Sequence, residues 1–473
     1  MSHVRNKILP LFAGRATALA KEFRVFTVTQ IDPWICASLE ELGQFRRSDD
    51  RLKGLGARND IVTLAFLLRT DRACRATMSC PRGELCIVGF GRSRTGEAVP
   101  DALFRQPPKV DAPKFFANWA HLKQPMELEP GMPAMLWLTA PSPSPKFDLT
   151  IESGGTRIRV PVEIETVPID LPKENPLKCF LWQPAPTGVD WAPAYVKTGV
   201  NVFNRGHAAA KKAGAQFLLF NAPDPVFMRE AMSGASEAKA QEQLKNIEDQ
   251  VRDLKLRQGQ YAVYLTDEPP EIDLDRAIEW LRWMRRRSTT LPIYLTLPWG
   301  PGPVNTKMSA AGVRRLISEQ VDFYQPYWHY CWDGSGCWTE LKRSGKPLWI
   351  YEIISNATRQ KNCGVSWLRK GFYRAYEYGA QGVGVYAAYD PRGNAWEDAP
   401  DRTGYWLHYS DGDLVSSRAL EAFRQGVQDF KLISVLKGRA PKRWLDEQVN
   451  AAIAAKTGEE MAKVRETLLR FRS

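Results

Sequence analysis

Asp267 and Glu268 stand side by side in the stretch Tyr261 to Pro270, which reads YAVYLTDEPP. Tyr261, Val263 and Leu265 alternate with Ala262, Tyr264 and Thr266 in a β-rich run one strand long. The run stops at two prolines that cannot continue a ladder. Two adjacent carboxylates at the end of a buried strand repel each other and lose hydration, and both effects hold a proton on one of them to higher pH. A carboxylic acid still protonated near neutral pH is what general acid catalysis requires. The competing reading is an acidic pair close to a helix start, because a helix begins near Asp273 and acids favour that end.

Such a pair needs a frame to hold it. From Leu177 onward, short apolar strands alternate with longer amphipathic segments. The strands read are Leu177 to Gln183, Asn201 to Asn204, Gln216 to Asn221, Tyr261 to Thr266, Pro292 to Leu297, Val321 to Gln325, Pro347 to Ile353 and Gly382 to Tyr389. Helical stretches fall between them, among them Glu237 to Leu256 and Leu274 to Arg287. Eight strand-helix units in about 215 residues predict an α/β protein with a (β/α)8 TIM-type barrel. A doubly wound open sheet is the alternative, but no glycine fingerprint follows the first strand and no phosphate-cradling loop is present.

In a barrel the chemistry sits at the carboxyl ends of the strands. Those ends offer Trp182, Gln183, Asn204, Asn221, Asp267, Glu268, Trp299, Tyr324, Gln325, Tyr327, Trp328, Glu352, Tyr386 and Asp390. Polar groups and tryptophans on one rim suit a sugar, whose CH-rich face packs on aromatic rings. For each residue outside the Asp-Glu pair, packing or an ordinary loop is the competing role. The irregular segment Asp390 to Asp413 adds Trp396, Asp398 and Tyr405 as wall candidates, since loops of that length usually belong to a site.

Residues 1–170 read as a β-rich domain of sandwich type. Its clearest signal is a hairpin in which Phe147, Leu149 and Ile151 alternate with polar residues, Gly154-Gly155 turns, and Ile158, Val160, Val162 and Ile164 alternate back. Val167 to Pro176 is the expected linker, residues 177–413 the barrel, and residues 414–473 a helical segment packed on it. Leu420, Phe423, Val427 and Phe430 give the first terminal helix an apolar stripe, and roughly Arg443 to Phe471 reads as a second helical stretch.

The chain has 473 residues, 44% hydrophobic and 25% charged, with a net charge of +12. Its basic residues are scattered, and the densest cluster, Arg285 to Arg287, lies on an apparent helix face, so nucleic acid is not the expected partner. No apolar run is long enough to span a membrane. Eight cysteines include no CxxC pair, and Cys74, Cys80 and Cys86 recur every six residues. With only five histidines, none in ligand spacing, no metal or organic cofactor is expected. Buried thiols or one or two disulfides both fit. Near the amino terminus, Ile8 to Gly14 and Ala18-Leu19-Ala20 have signal-peptide character that Arg15 interrupts, which leaves a periplasmic, secreted or cytoplasmic address open.

The order of β-rich domain, barrel with a strand-terminal DEP, and the tail SSRALEAFRQGVQDFKLISVL (Ser416 to Leu436) resembles glycoside hydrolase family 123 and a wider group of bacterial proteins sharing its barrel. That group ends with a Ser-x-Arg-x-Glu-x-x-Arg-x-Gly-x-x-Asp pattern, and Ser417, Glu421, Arg424, Gly426 and Asp429 fall in register with it. Ala419 occupies the place of the first arginine, and Arg418 sits one position early. The last strand ends YAAYD (Tyr386 to Asp390), where many relatives carry a tryptophan. The resemblance implies a β-N-acetylgalactosaminidase with a substrate-assisted retaining mechanism, in which the substrate's 2-acetamido oxygen attacks the anomeric carbon. It implies Glu268 as general acid and then base, and Asp267 as the group that orients the acetamide and stabilises the oxazolinium-like charge. A carbohydrate-binding protein on the same barrel without chemistry, or a barrel enzyme acting on an anionic polymer, are the other readings.

Overall fold

The structure is a computed structural model that describes residues 26–35, 37–92, 98–182, 191–223, 234–288, 290–297, 308–319, 321–328, 336–353, 364–390, 394–397 and 405–472. Its first ten strands are β1 (Phe26–Ile31), β2 (Leu52–Arg58), β3 (Asp60–Thr70), β4 (Cys74–Ser79), β5 (Glu84–Arg92), β6 (Ala98–Phe104), β7 (Met126–Leu128), β8 (Ala134–Ser142), β9 (Phe147–Ser153) and β10 (Thr156–Asp170). The predicted hairpin is β9 and β10, joined at Gly154 and Gly155, whose φ values of 54° and 80° suit the tight turn that right-twisted antiparallel strands need.

These strands form a five-stranded sheet, β2-β10-β9-β4-β7, and most of a seven-stranded one. Both contribute to one hydrophobic cluster, with Leu64, Phe66 and Leu136 from the larger sheet and Leu149, Ile151 and Val160 from the smaller. On β3 the alternate residues Ala65 and Leu67 point the other way, into the cluster shared with the barrel. A strand buried on both faces reads as a continuous apolar run, as Val62 to Leu68 does.

The eight barrel strands are β11 (Lys178–Leu181), β12 (Val202–Phe203), β13 (Phe217–Asn221), β14 (Tyr261–Tyr264), β15 (Ile293–Leu297), β16 (Phe323–Pro326), β17 (Trp349–Ile353) and β18 (Gly382–Tyr386). All pair in parallel in the order β16-β15-β14-β13-β12-β11-β18-β17. Bridges Tyr324 to Leu348 and Tyr327 to Tyr351 close the ring. Phe180, Val202, Phe217, Leu219, Ala262, Tyr294 and Trp349 fill the interior, so it is a packed core under a rim. The bulk of Trp349 and Gln325 is accommodated by glycine: a Cβ on Gly382 would lie 2.5 Å from the Trp349 ring, and one on Gly384 2.5 Å from the Gln325 amide. Tyr294 donates to Gln325 Oε1, and Gln325 Nε2 donates to the Ile350 carbonyl at 3.2 Å, which makes Gln325 a barrel-core group.

After the barrel come β19 (Tyr389–Asp390), β20 (Tyr405–Trp406), β21 (Tyr409–Ser410) and β22 (Leu414–Ser417). β22 returns to the seven-stranded sheet and pairs antiparallel with β6. The helix Arg418–Leu436 follows, capped by Ser417, whose Oγ accepts from the Leu420 N–H. This helix is buried on nearly every side because it lies between the sheet and the barrel, so the apolar stripe read from sequence understates its burial. Roughly Arg443 to Phe471 forms two helices, Lys442–Ala454 and Gly458–Leu469. The break comes at Thr457, which caps the second helix, and Gly458, where a Cβ would lie 2.3 Å from Trp34.

The motif in the tail is architectural. Arg424 pairs with Glu421 at 2.8 Å and donates to Thr63 Oγ1 at 2.7 Å on β3. Gly426 lets the helix approach Phe372 on the helix Gly364–Tyr378, since a Cβ there would fall 2.2 Å from the ring. Asp429 is fully buried, accepts from Arg369 at 2.9 and 3.0 Å and pairs with Arg465, which also pairs with Asp60. Arg418 is equally buried and donates to the carbonyls of Pro33, Ile35 and Pro100, which ties the helix to the N-terminal region. Among the described residues, Cys74, Cys80, Cys86, Cys179 and Cys337 are free thiols. Cys36, Cys331 and Cys363 lie outside the described residues.

Candidate active site

β14 ends at Tyr264, and the chain passes through Leu265 and Thr266 to the carboxylate pair at the carboxyl rim of the barrel. The side chains that hold the pair come from β14 itself and from β15 and β17. Tyr264 Oη donates to Asp267 Oδ1 at 2.5 Å. Thr296, inward-facing on β15, accepts the Glu268 backbone N–H at 2.9 Å and places its Oγ 3.0 Å from Asp267 Oδ1 as a second donor. Tyr351 on β17 donates to Glu268 Oε1. Burial, and next the charge of Asp267, push the Tyr264 phenol well above its usual range, so it stays a donor at all physiological pH.

Glu268 has φ of +41°, in the left-handed region that non-glycine residues avoid at a cost of about 1–3 kcal/mol. Its backbone N–H is fixed there by Thr296. The two carboxylates thus have different partners: Asp267 Oδ1 takes the Tyr264 phenol and the Thr296 hydroxyl, and Glu268 Oε1 takes the Tyr351 phenol, an asymmetry of the kind that separate chemical roles require.

Around them lies a cavity of about 790 Å³, large enough for more than one sugar ring. Trp182, Asn204, Asn221, Tyr264, Asp267, Glu268, Thr296, Tyr351 and Tyr386 line it from the strand ends. Trp182 sits at its floor, 5.0 Å from the Tyr264 ring. Tyr386 lines the wall and donates to Asp390 Oδ2 at 2.6 Å, so Asp390 stands behind Tyr386.

Four expected wall residues point elsewhere. Tyr324 is fully buried on the outer side of β16, with its hydroxyl on the Leu316 carbonyl at 3.3 Å. Glu352 lies on the opposite face of β17 from Tyr351, where burial pushes its carboxyl up against the opposing pull of Trp328, Arg374 and Tyr327. Trp328 faces the same side, with the Arg374 guanidinium 4.0 Å from its ring. Trp396 stacks on Tyr409 at 4.5 Å and on Phe104 at 5.9 Å and donates to the Ser410 carbonyl, in the cluster of the N-terminal sheets. Gln183, Trp299 and Asp398 lie outside the described residues, as does the side chain of Tyr405.

The strand-end reading passed over Thr296 and Tyr351, although strand parity marks both: Tyr294 and Trp349 fill the barrel, so their i+2 neighbours face the mouth. It also missed the helix Gly234–Asp253, which lines the cavity with Gln243, Asn246 and Gln250. These fall at i, i+3 and i+7, one stripe beside the buried Ala240, Leu244 and Ile247.

Most of the chain superposes on a solved glycoside hydrolase. A family 123 glycoside hydrolase from Clostridium perfringens, described in connection with glycolipid glycan hydrolysis, matches 94% of this chain and 97% of its own with a TM-score of 0.64 at 10% identity. The two chains share a fold. A family 5 xyloglucanase from Bacteroides ovatus (TM-score 0.30, 9% identity, 85% of this chain and 100% of that one) and the catalytic domain of a Pyrococcus furiosus chitinase (0.34, 12%, 54% and 96%) are similar too weakly to bear on the site. No family model matches the sequence, and no curated protein does. Among the described residues no group of three or more His, Cys, Asp or Glu is placed to hold a metal ion, and no helix is long and apolar enough to cross a membrane.

Proposed function

We propose that this chain is a glycoside hydrolase that cleaves a β-linked 2-acetamido sugar with retention, using the substrate's own acetamido oxygen as nucleophile. One observation carries the reading. Asp267 and Glu268 are the only carboxylates among the described residues of the cavity wall, and they arise from adjacent positions at one strand end. A conventional retaining enzyme sets a second carboxylate across the scissile bond to form a glycosyl-enzyme. With both acids on one wall, a nucleophile carried by the substrate fits better. The shared fold with a family 123 glycoside hydrolase supports a glycan as substrate.

In this reading Glu268 protonates the departing glycosidic oxygen. The Tyr351 hydroxyl donates to its Oε1 and orients the carboxyl group. Asp267, held by Tyr264 and Thr296, accepts from the acetamide N–H, turns its oxygen toward the anomeric carbon and stabilises the oxazolinium that results. Glu268, now a carboxylate, takes a proton from the water that opens the ring.

Hydrolysis of a panel of aryl β-glycosides tests this. An N-acetyl-β-hexosaminide is expected to turn over where its 2-hydroxy counterpart does not, and Glu268→Gln to lose about 10²–10⁴-fold in kcat. A thiazoline mimic of the bicyclic intermediate is expected to bind far more tightly than the parent sugar. Full turnover by Glu268→Gln removes the assignment. Glycan binding without turnover by either form would make the site a recognition module.

A further inference from the structure

We propose that the sugar chain accepted by this cavity carries an anionic substituent, a sulfate ester or a carboxylate, and that Arg205 reads it. The inference rests on the glycosidase reading for its substrate class and adds the charge.

Arg205 lies two residues beyond β12 and lines the same cavity as Asp267 and Glu268. It is the only cationic side chain among the described residues of that wall. On the barrel helices, Arg282 pairs with Glu319, Arg285 with Asp322, Arg287 with Glu237 and Arg315 with Asp275. Arg205 is exposed and has no carboxylate within ion-pair reach among the described residues.

Its surroundings are neutral and polar. Asn204 and Asn221 line the cavity with it from the strand ends, and Gln243, Asn246 and Gln250 line it from the helix side. Amides of this kind read hydroxyls and have no preference for charge. A planar guanidinium with a fixed fork of donors matches the oxygens of a sulfate or carboxylate bidentately. β12 is separated from β14 by one strand, so Arg205 stands about 10 Å along the rim from the carboxylate pair at ordinary strand spacing. That offset places the anion away from the bond being cleaved, at the far edge of the acetamido sugar or on the next residue. There its negative charge is kept apart from Asp267 and Glu268.

The test compares matched substrates. Aryl N-acetyl-β-hexosaminides with and without a ring sulfate, and disaccharides ending in a neutral hexose or a uronate, are assayed with wild type, Arg205→Gln and Arg205→Lys. Wild type is expected to favour at least one charged substrate over its neutral partner by about tenfold to a hundredfold in kcat/KM, the worth of one hydrogen-bonded charge pair. Arg205→Gln is expected to bring that ratio to near one, and Arg205→Lys to keep part of it. The sulfate and uronate arms tell the two anions apart. A wild-type ratio of one throughout, or a preference that survives Arg205→Gln, overturns the proposal.

Calorimetric binding of the same sulfated and neutral glycans to wild type and Arg205→Gln gives a readout independent of turnover. Charge-selective binding lost in Arg205→Gln upholds the Arg205 assignment even if no glycoside is cleaved, a result that would count against the hydrolase reading alone. Equal binding of charged and neutral glycans overturns it whether or not hydrolysis occurs.

Discussion

Thr296 does two things at one oxygen. It accepts the N–H that fixes Glu268 in a left-handed conformation, and it donates to Asp267. Thr296→Val keeps the shape and removes both interactions, so kcat is expected to fall about tenfold to a hundredfold with little change in melting temperature. Thr296→Ser should restore most of it, and a serine variant as poor as valine would show that the methyl group, not the hydroxyl, matters. At the same scale, Tyr351→Phe removes the phenol that occupies Glu268 Oε1. A loss in kcat of about tenfold is expected, and an unchanged rate would mean that Tyr351 only closes the cavity.

Among elements, the helix Arg418–Leu436 shows how tightly its neighbours constrain it. At Gly426 an added methyl would sit 2.2 Å from Phe372, and both helices are fixed on their other sides. Gly426→Ala is therefore expected to destabilise the protein by about 1–3 kcal/mol, read from urea unfolding. The helix was legible in the sequence as a stripe of Leu420, Phe423 and Val427, and the barrel as eight short apolar runs, because burial is written into periodicity. The carboxylate pair was legible because two prolines punctuate its strand. What periodicity did not supply was facing. Choosing Tyr324 and Glu352 for the wall treated every residue at a strand end alike, whereas one step along a strand turns the side chain from the mouth to the helix layer. Trp396 was misplaced for a different reason: only the fold brings Phe104 and Tyr409 to its ring. The sequence marked Glu237 to Leu256 as helical, but only chain folding over the rim brings its Gln243, Asn246 and Gln250 to the cavity.

Across the whole molecule, two sets of buried titratable side chains contribute to stability. Asp60, Arg369, Asp429 and Arg465 join β3, the helix Gly364–Tyr378 and two C-terminal helices in one network. Asp429→Ala leaves two buried guanidiniums short of a partner, and a loss of about 3–5 kcal/mol is expected in denaturant unfolding. The second system is a pair of neutral imidazoles. Burial pushes both His121 and His408 down to about 4. Nδ1 of His408 lies 2.9 Å from the Tyr409 carbonyl and so must donate, which leaves Nε2 to accept from Tyr195 at 2.7 Å. The unfolded chain binds these protons near pH 6.5 and the folded one only near 4, so stability is unaffected above about pH 7. It falls by about 3 kcal/mol per imidazole as the pH drops from 6.5 to 4. Between pH 6.5 and 5, before most carboxylates titrate, His408→Gln should flatten that slope, and an unaltered slope would assign it to other groups.

The return of β22 to β6 has a practical side. In the seven-stranded sheet, β6 is covered by a strand that the chain supplies only after completing the barrel. A fragment ending at the expected linker would lose the pairing of Ser416 and Ser417 with Leu103 and Ala102 and leave that part of β6 as an open edge. Such a fragment is expected to self-associate through strand addition, and a synthetic peptide spanning residues 405–420, offered in trans, should return it to monomers.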